Sequence, residues 1–205
     1  MSRWERVLRQ ATLANQLTLL RLVAVPFLGL ALLTGHNGVA LGLFVAAAIT
    51  DRLDGIAARR LGQQTALGRF LDPAADKAMM LVVYVILAMP NAPRPFPDFR
   101  LAVHVPAWLT LLVVARDVLI VVVALGLWLA YGMHRFPPST LGKWTTGVEV
   151  VTAGLYLLAN VHPVVPGWLL DLAVWVMLLF LVGSGIDYML RTRRHLATLA
   201  TENGG

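Results

Sequence analysis

The sequence predicts an all-α integral membrane protein, with six transmembrane helices preceded by an amphipathic juxtamembrane helix. Three observations predict it. Of 205 residues, 58% are hydrophobic and only 14% are charged, against about 25% charged in a soluble globular domain. The mean hydropathy is +0.72. The apolar residues gather into six runs, each near the ~20 residues a helix needs to cross a bilayer.

Each element has its own local reason. In residues 3–14, Trp4, Val7, Leu8 and Ala11 fall at helical spacing, with Arg3, Arg6 and Arg9 elsewhere around the helix. That pattern predicts a helix lying on the membrane surface. The first span covers 17–33 and carries Arg21 one turn inside. The second and third, 39–58 and 70–89, are joined by a short polar link. Residues 90–106 hold five prolines and must form a loop outside the hydrocarbon, where irregular backbone is tolerated. The fourth span, 106–131, has Arg116 beside Asp117 midway. The fifth covers 144–159 and the sixth 168–188. The domain reading is one membrane domain over 1–205: an interfacial helix (1–15), a six-span bundle (16–190) and a basic, flexible tail (191–205). The tryptophans fall mostly near span ends, as an aromatic belt requires. Gly38 and Gly42 have the small-x3-small spacing of packed helices.

The net charge is +6, but the basic residues lie at the ends of apolar runs. Anionic headgroups and phosphate-bearing substrates are therefore the expected partners, and nucleic acid is not. There is no cysteine, which excludes thiol and disulfide chemistry. No cleaved signal peptide is expected. One side of the membrane would receive Arg3, Arg6, Arg9, Arg59, Arg60, Arg69, Arg135, Lys143, Arg191, Arg193 and Arg194; the other receives Arg94 and Arg100. This bias places both termini, and the link between spans two and three, on the cytoplasmic side.

That link carries the chemistry. Four of the 11 acidic residues, Asp51, Asp54, Asp72 and Asp76, fall in residues 51–76. Ionised carboxylates near membrane depth are costly and usually kept for function. Asp51 and Asp54 are three apart near the end of one helix, and Asp72 and Asp76 four apart near the start of the next, so each pair shares a helix face. Four converging carboxylates repel one another unless a cation neutralises them. An all-oxygen set suits Mg²⁺ or Mn²⁺, and the absence of His and Cys in the segment argues against zinc. Gly55 and Gly68 remove side chains where a ligand can approach the backbone. Arg59, one turn beyond Gly55, can fork onto a phosphate. Two metals, an arginine and exposed backbone suit a diphosphate.

The pattern Asp51-x2-Asp54-Gly55-x2-Ala58-Arg59-x8-Gly68-x3-Asp72-x3-Asp76 resembles the signature of the CDP-alcohol phosphatidyltransferases, with no departure in residue or spacing. Asn15, Leu17, Thr18, Arg21 and Pro26 are similar to that family's first span, and Gly142-Lys143 followed by Thr145-Thr146 to its entry into span five. The resemblance implies a six-helix membrane enzyme, a homodimer, that moves the phosphatidyl group of CDP-diacylglycerol to an alcohol with release of CMP. It implies that Asp51, Asp54, Asp72 and Asp76 hold two divalent cations, Mg²⁺ or Mn²⁺, and that Asp76 is also the general base. Gly55, Ala58, Arg59 and Gly68 would line the CDP site.

Competing readings exist for each group. The aspartates can be helix-end charges, with Asp72-Pro73 as an N-cap and first-turn proline, but capping does not account for four matched positions. Arg21 can snorkel to the headgroups or face the bundle, and the bundle is the reading adopted. Arg116 can simply pair with Asp117, and Lys143 can be a cytoplasmic anchor. The functional expectation is that Arg116 and Lys143, with Arg21 as a further candidate, bind the acceptor. The five histidines are read as headgroup-level or solvated. Asp72-Pro73 with Asp76-Lys77 resembles the glycerol-3-phosphate enzymes of the family. The same block, with Ala115-Arg116-Asp117-Val118 and Pro138-Ser139, also resembles its cardiolipin synthases, which take phosphatidylglycerol. Glycerol 3-phosphate is placed first; inositol phosphate and serine are less favoured. A cation transporter would want broken helices or repeats near the midplane, and neither is apparent. An aspartate-rich prenyltransferase would carry two distant acidic motifs in place of one compact block.

Overall fold

A computed structural model describes residues 13–61, 68–91, 96–97, 99–131 and 140–202, with side chains for 18–51, 75–91, 96–97, 99–122 and 140–191. Among these residues there are six helices and no strand: α1 (Leu13–Leu33), α2 (Asn37–Leu61), α3 (Gly68–Leu87), α4 (Ala107–Tyr131), α5 (Thr140–Val161) and α6 (Gly167–Glu202). Each matches one of the six apolar runs, although the third run outlasts α3 by two residues and the fourth begins one residue before α4. The surface helix expected over 3–14 lies almost wholly outside the described residues. The sixth span expected over 168–188 is part of a longer helix, since α6 continues to Glu202. The reason is local. Between Tyr188 and Glu202 there is no Gly or Pro to stop a helix, and Leu, Ala and Arg favour one.

The helices are apolar on their outward as well as their inward faces, unlike those of a protein in water. On α1 the buried positions are Thr18, Arg21, Val25, Leu28 and Leu32, while Leu19, Leu20, Val23, Phe27 and Leu30 are exposed. On α6 the stripe Leu170, Val174, Met177, Leu181 and Ser184 is buried, and Leu172, Trp175, Leu179, Val182 and Ile186 face outward. Among the described residues the stretch Gly167–Arg191 of α6 is long and apolar enough to cross a membrane, and Thr18–Leu33 and Asn37–Asp51 are shorter apolar helices.

The chain divides into two compact units, Met1–Val105 with Ala153–Val165, and Pro106–Thr152 with Pro166–Gly205. In the first, α1 packs against both α2 and α3. The buried stripe of α2 runs through Ala40, Phe44 and Ala47, and that of α3 through Ala75, Met79, Val83 and Leu87. Continued by helical periodicity, these stripes lead to Asp51 on α2 and Asp76 on α3. A Cβ on Gly29 of α1 would stand 3.0 Å from Val82 Cγ1, whereas Gly38 and Gly42 meet nothing within 4 Å. Close packing within the chain therefore falls to Gly29 and not to the Gly38–Gly42 pair.

The turn from α1 to α2 takes three residues. The Gly35 amide donates to the Leu32 carbonyl at 3.0 Å and the His36 amide to the Ala31 carbonyl at 2.8 Å, the bond pair of a Schellman C-cap. Gly35 has φ 78°, which a residue with a Cβ adopts only at a cost.

At that same end of the unit the loop before α4 is fastened by asparagines. Asn160 Oδ1 accepts from the amides of Ala102 (2.7 Å) and Val103 (3.2 Å), while its Nδ2 donates to the carbonyls of Val103 (2.9 Å) and Tyr156 (2.8 Å). Asn91 pairs with both backbone groups of Leu101. Phe99, Leu101 and Val105 are buried beneath. Asn160→Ala leaves backbone groups without these partners, and should lower stability by about 2–3 kcal/mol. Thermal unfolding of the detergent-solubilised protein checks this, and an unchanged melting temperature would show the network to be idle.

In the second unit α4 packs against α6, with the Tyr188 hydroxyl donating to the Ile120 carbonyl at 3.4 Å. Thr145 on α5 donates to the carbonyls of Leu141 (2.8 Å) and Phe180 (3.2 Å). A threonine bonded to its own helix and to the next satisfies a polar group where the surroundings are apolar.

Candidate active site

The ends of α1, α2 and α3 opposite the asparagine-fastened loop hold Arg21, Asp51 and Asp76. Arg21 is one turn past Thr18 on the inward face of α1, and its side chain is 1% exposed. It does not snorkel. Its Nη1 lies 2.7 Å from Asp51 Oδ1 and 3.2 Å from Asp76 Oδ1. One buried guanidinium nitrogen thus bridges carboxylates from two different helices, and ties all three helices together at this point. Charge-assisted bonds of this length are about twice as strong as neutral ones, and a buried arginine without them would be prohibitively costly.

Of the four aspartates, Asp51 and Asp76 are the two with described side chains, and they converge. Asp54, Gly55, Ala58 and Arg59 lie in the last turns of α2, and Gly68 and Asp72 in the first turns of α3; their side chains are outside the described set. Among the described residues no third acidic, His or Cys side chain joins the pair. The donor chemistry fits a hard divalent cation. Both described donors are carboxylate oxygens, and they already meet around one positive charge, which Arg21 supplies.

Arg116 and Lys143 belong to the second unit. Arg116 Nη1 is 2.8 Å from Asp117 Oδ1 and 4.0 Å from Glu149 Oε1, so the pairing with its neighbour does form despite their adjacency in the helix. Lys143 is exposed, in the first turn of α5. Glu149 is fully buried, and sequence reading missed it. The signal was available: it is a lone acidic residue in the middle of an apolar run, the same kind of signal that drew attention to the aspartates.

A three-helix arrangement presenting Asp51 and Asp76 from adjoining helix ends is what the 51–76 pattern requires. A family model described as CDP-alcohol phosphatidyltransferase matches residues 11–184. The chain belongs to that family. Among curated relatives in the CDP-alcohol phosphatidyltransferase family, a probable phosphatidylglycerophosphate synthase of Mycobacterium tuberculosis is 35% identical over 194 residues, covering 92% of this chain and 85% of that protein. The CDP-diacylglycerol–glycerol-3-phosphate 3-phosphatidyltransferase of Bacillus subtilis is 30% identical over 202 residues, covering 91% and 97%. A cardiolipin synthase (CMP-forming) of Rattus norvegicus is 30% identical over 166 residues, covering 73% of this chain and 51% of that protein. The chain is accordingly an enzyme of CDP-alcohol phosphatidyl transfer, working in phospholipid synthesis.

Proposed function

We propose that this enzyme is a phosphatidylglycerophosphate synthase: it transfers the phosphatidyl group of CDP-diacylglycerol to glycerol 3-phosphate and releases CMP. The observation that carries the acceptor is coverage. The Mycobacterium and Bacillus relatives, both named for this product or substrate, align with the chain along 85% and 97% of their own lengths. The second reading is a cardiolipin synthase with phosphatidylglycerol as acceptor, favoured by the Ala115-Arg116-Asp117-Val118 stretch and by the rat relative.

The site supports a direct displacement. Asp76, whose side chain is 37% exposed, takes the proton of the acceptor hydroxyl as its oxygen attacks the phosphatidyl phosphorus. The bond from that phosphorus to the bridging oxygen breaks, and CMP leaves with the oxygen. Arg59 holds the diphosphate through its planar fork, and Gly55, Ala58 and Gly68 leave the backbone open to the cytidine end. Asp51, Asp54, Asp72 and Asp76 would hold two Mg²⁺ or Mn²⁺ ions, which would supply positive charge to stabilise the attacking and leaving oxygens. Arg116 and Lys143 carry the positive charge that an acidic acceptor needs. The apolar outward faces of the helices support membrane spans, and the Lys and Arg bias supports placing the aspartate end and both termini on the cytoplasmic side. A two-fold homodimer is the assembly proposed.

The test supplies the purified enzyme with CDP-diacylglycerol, Mn²⁺ or Mg²⁺, and one acceptor at a time, and measures CMP. Release with glycerol 3-phosphate alone is the expected result. Release with phosphatidylglycerol alone would establish the second reading, and no CMP with any alcohol would refute the assignment.

A further inference from the structure

The mechanism above uses four carboxylates and leaves Arg21 unexplained. We infer that Arg21 is the resident counter-cation of the aspartate site: its guanidinium holds Asp51 and Asp76 in position for a divalent ion and releases at least one of them when the ion binds. The inference rests on the metal-dependent reading of the four aspartates, and it assigns Arg21 a positioning task distinct from acceptor contact.

Three observations carry it. The first is sharing. A single nitrogen, Nη1, serves Asp51 Oδ1 at 2.7 Å and Asp76 Oδ1 at 3.2 Å, so the two oxygens are held around one point of positive charge. Two carboxylates brought this close repel unless something positive stands between them. The second is asymmetric exposure. The Arg21 side chain is 1% exposed, whereas those of Asp51 and Asp76 are 41% and 37% exposed. An ion therefore reaches the carboxylates from their open side while the arginine stays behind them. The third is origin. Arg21 comes from α1, Asp51 from α2 and Asp76 from α3, so the bridge sets the spacing of the two metal-binding helices from a third one.

Electrostatics then fixes the sign of the effect. A carboxylate oxygen bonded to a dication at ~2.0–2.2 Å cannot hold the guanidinium at 2.7 Å without bringing two positive centres together, and their repulsion grows as the site is desolvated. Arg21 thus competes with the ion even as it prepares the ligands. A residue with only a packing role would weaken metal binding when removed. Removing a counter-cation strengthens it.

The experiment titrates Mn²⁺ calorimetrically into the EDTA-stripped full-length protein in nanodiscs. Arg21→Met and Arg21→Gln are expected to bind Mn²⁺ about tenfold more tightly than the wild type, with a lower melting temperature when metal-free and a larger rise on adding Mn²⁺. Arg21→Lys keeps the charge and stays near the wild type. Unchanged or weaker binding in both neutral variants overturns the inference, and so does a Lys variant that gains as much as they do. A wild-type measurement serves if the neutral variants fail to fold. The guanidinium NMR signal of Arg21, assigned by its loss in Arg21→Lys, should shift on adding Mg²⁺, and a static signal in a protein that binds Mg²⁺ overturns the inference. Wild-type protein that binds no Mn²⁺ and releases no CMP refutes the functional reading along with it. Wild-type binding and turnover, with neutral variants that match it, refute the role of Arg21 alone.

Discussion

Asp76→Asn should lower the rate of CMP release by about 10³-fold or more, the loss expected when a positioned general base is removed. The substitution keeps the size of the side chain and removes its negative charge, and with it both its ability to take a proton and much of its strength as a metal ligand. Arg21 retains Asp51 at 2.7 Å, and the amide oxygen of the new residue can still accept from it, so the three-helix contact should persist. CDP-diacylglycerol binding should therefore survive. Asp51→Asn provides the control, since it removes a proposed metal ligand without touching the base: raising Mn²⁺ should recover part of its turnover and none of that of Asp76→Asn. Turnover of Asp76→Asn within tenfold of the wild type would remove Asp76 as the base.

Arg116→Ala should act twice. The KM for glycerol 3-phosphate should rise about 10- to 100-fold, corresponding to a lost charged hydrogen bond of about 1.5–3 kcal/mol, with little change in the KM for CDP-diacylglycerol. Stability should also fall by about 3 kcal/mol, because the guanidinium is withdrawn from Asp117 at 2.8 Å and from the fully buried Glu149 at 4.0 Å, and taking a cation from beside a buried carboxylate is destabilising. The double variant Arg116→Ala/Glu149→Gln separates the two effects. Neutralising Glu149 should restore most of the stability and leave the acceptor KM raised. A KM that recovers together with the stability would make Arg116 a structural residue only.

The helices were legible because each apolar run is bounded by polar or Pro- and Gly-containing residues, and a run of that length has few alternatives to a helix. The aspartate pattern was legible because acidic residues are rare in this chain, so their spacing stands out. Arg21 was legible as an inward-facing residue from its place one turn inside the first span. Its partners were not, because the choice of Asp51 and Asp76 depends on how α1 packs between α2 and α3, and no local pattern encodes that. The Gly29 contact with Val82 escaped for the same reason, while the Gly38–Gly42 spacing suggested packing that the chain does not supply. The extension of α6 to Glu202 was missed because a basic composition was read as a tail, although nothing in those residues breaks a helix. The loop partners of Asn160, Val103 and Ala102, lie 57 and 58 residues away in sequence, beyond the reach of any periodicity.

That separation has a consequence for how the protein is made. Ala102 and Val103 are synthesised long before Asn160, and their backbone groups cannot acquire it as a partner until α5 has been built. At about 5–20 residues per second, the ribosome needs roughly 3–12 seconds to cover the interval. The first three helices must wait through that time with one end unfastened, and the order of translation makes the asparagine the last piece to close the unit that holds the aspartates.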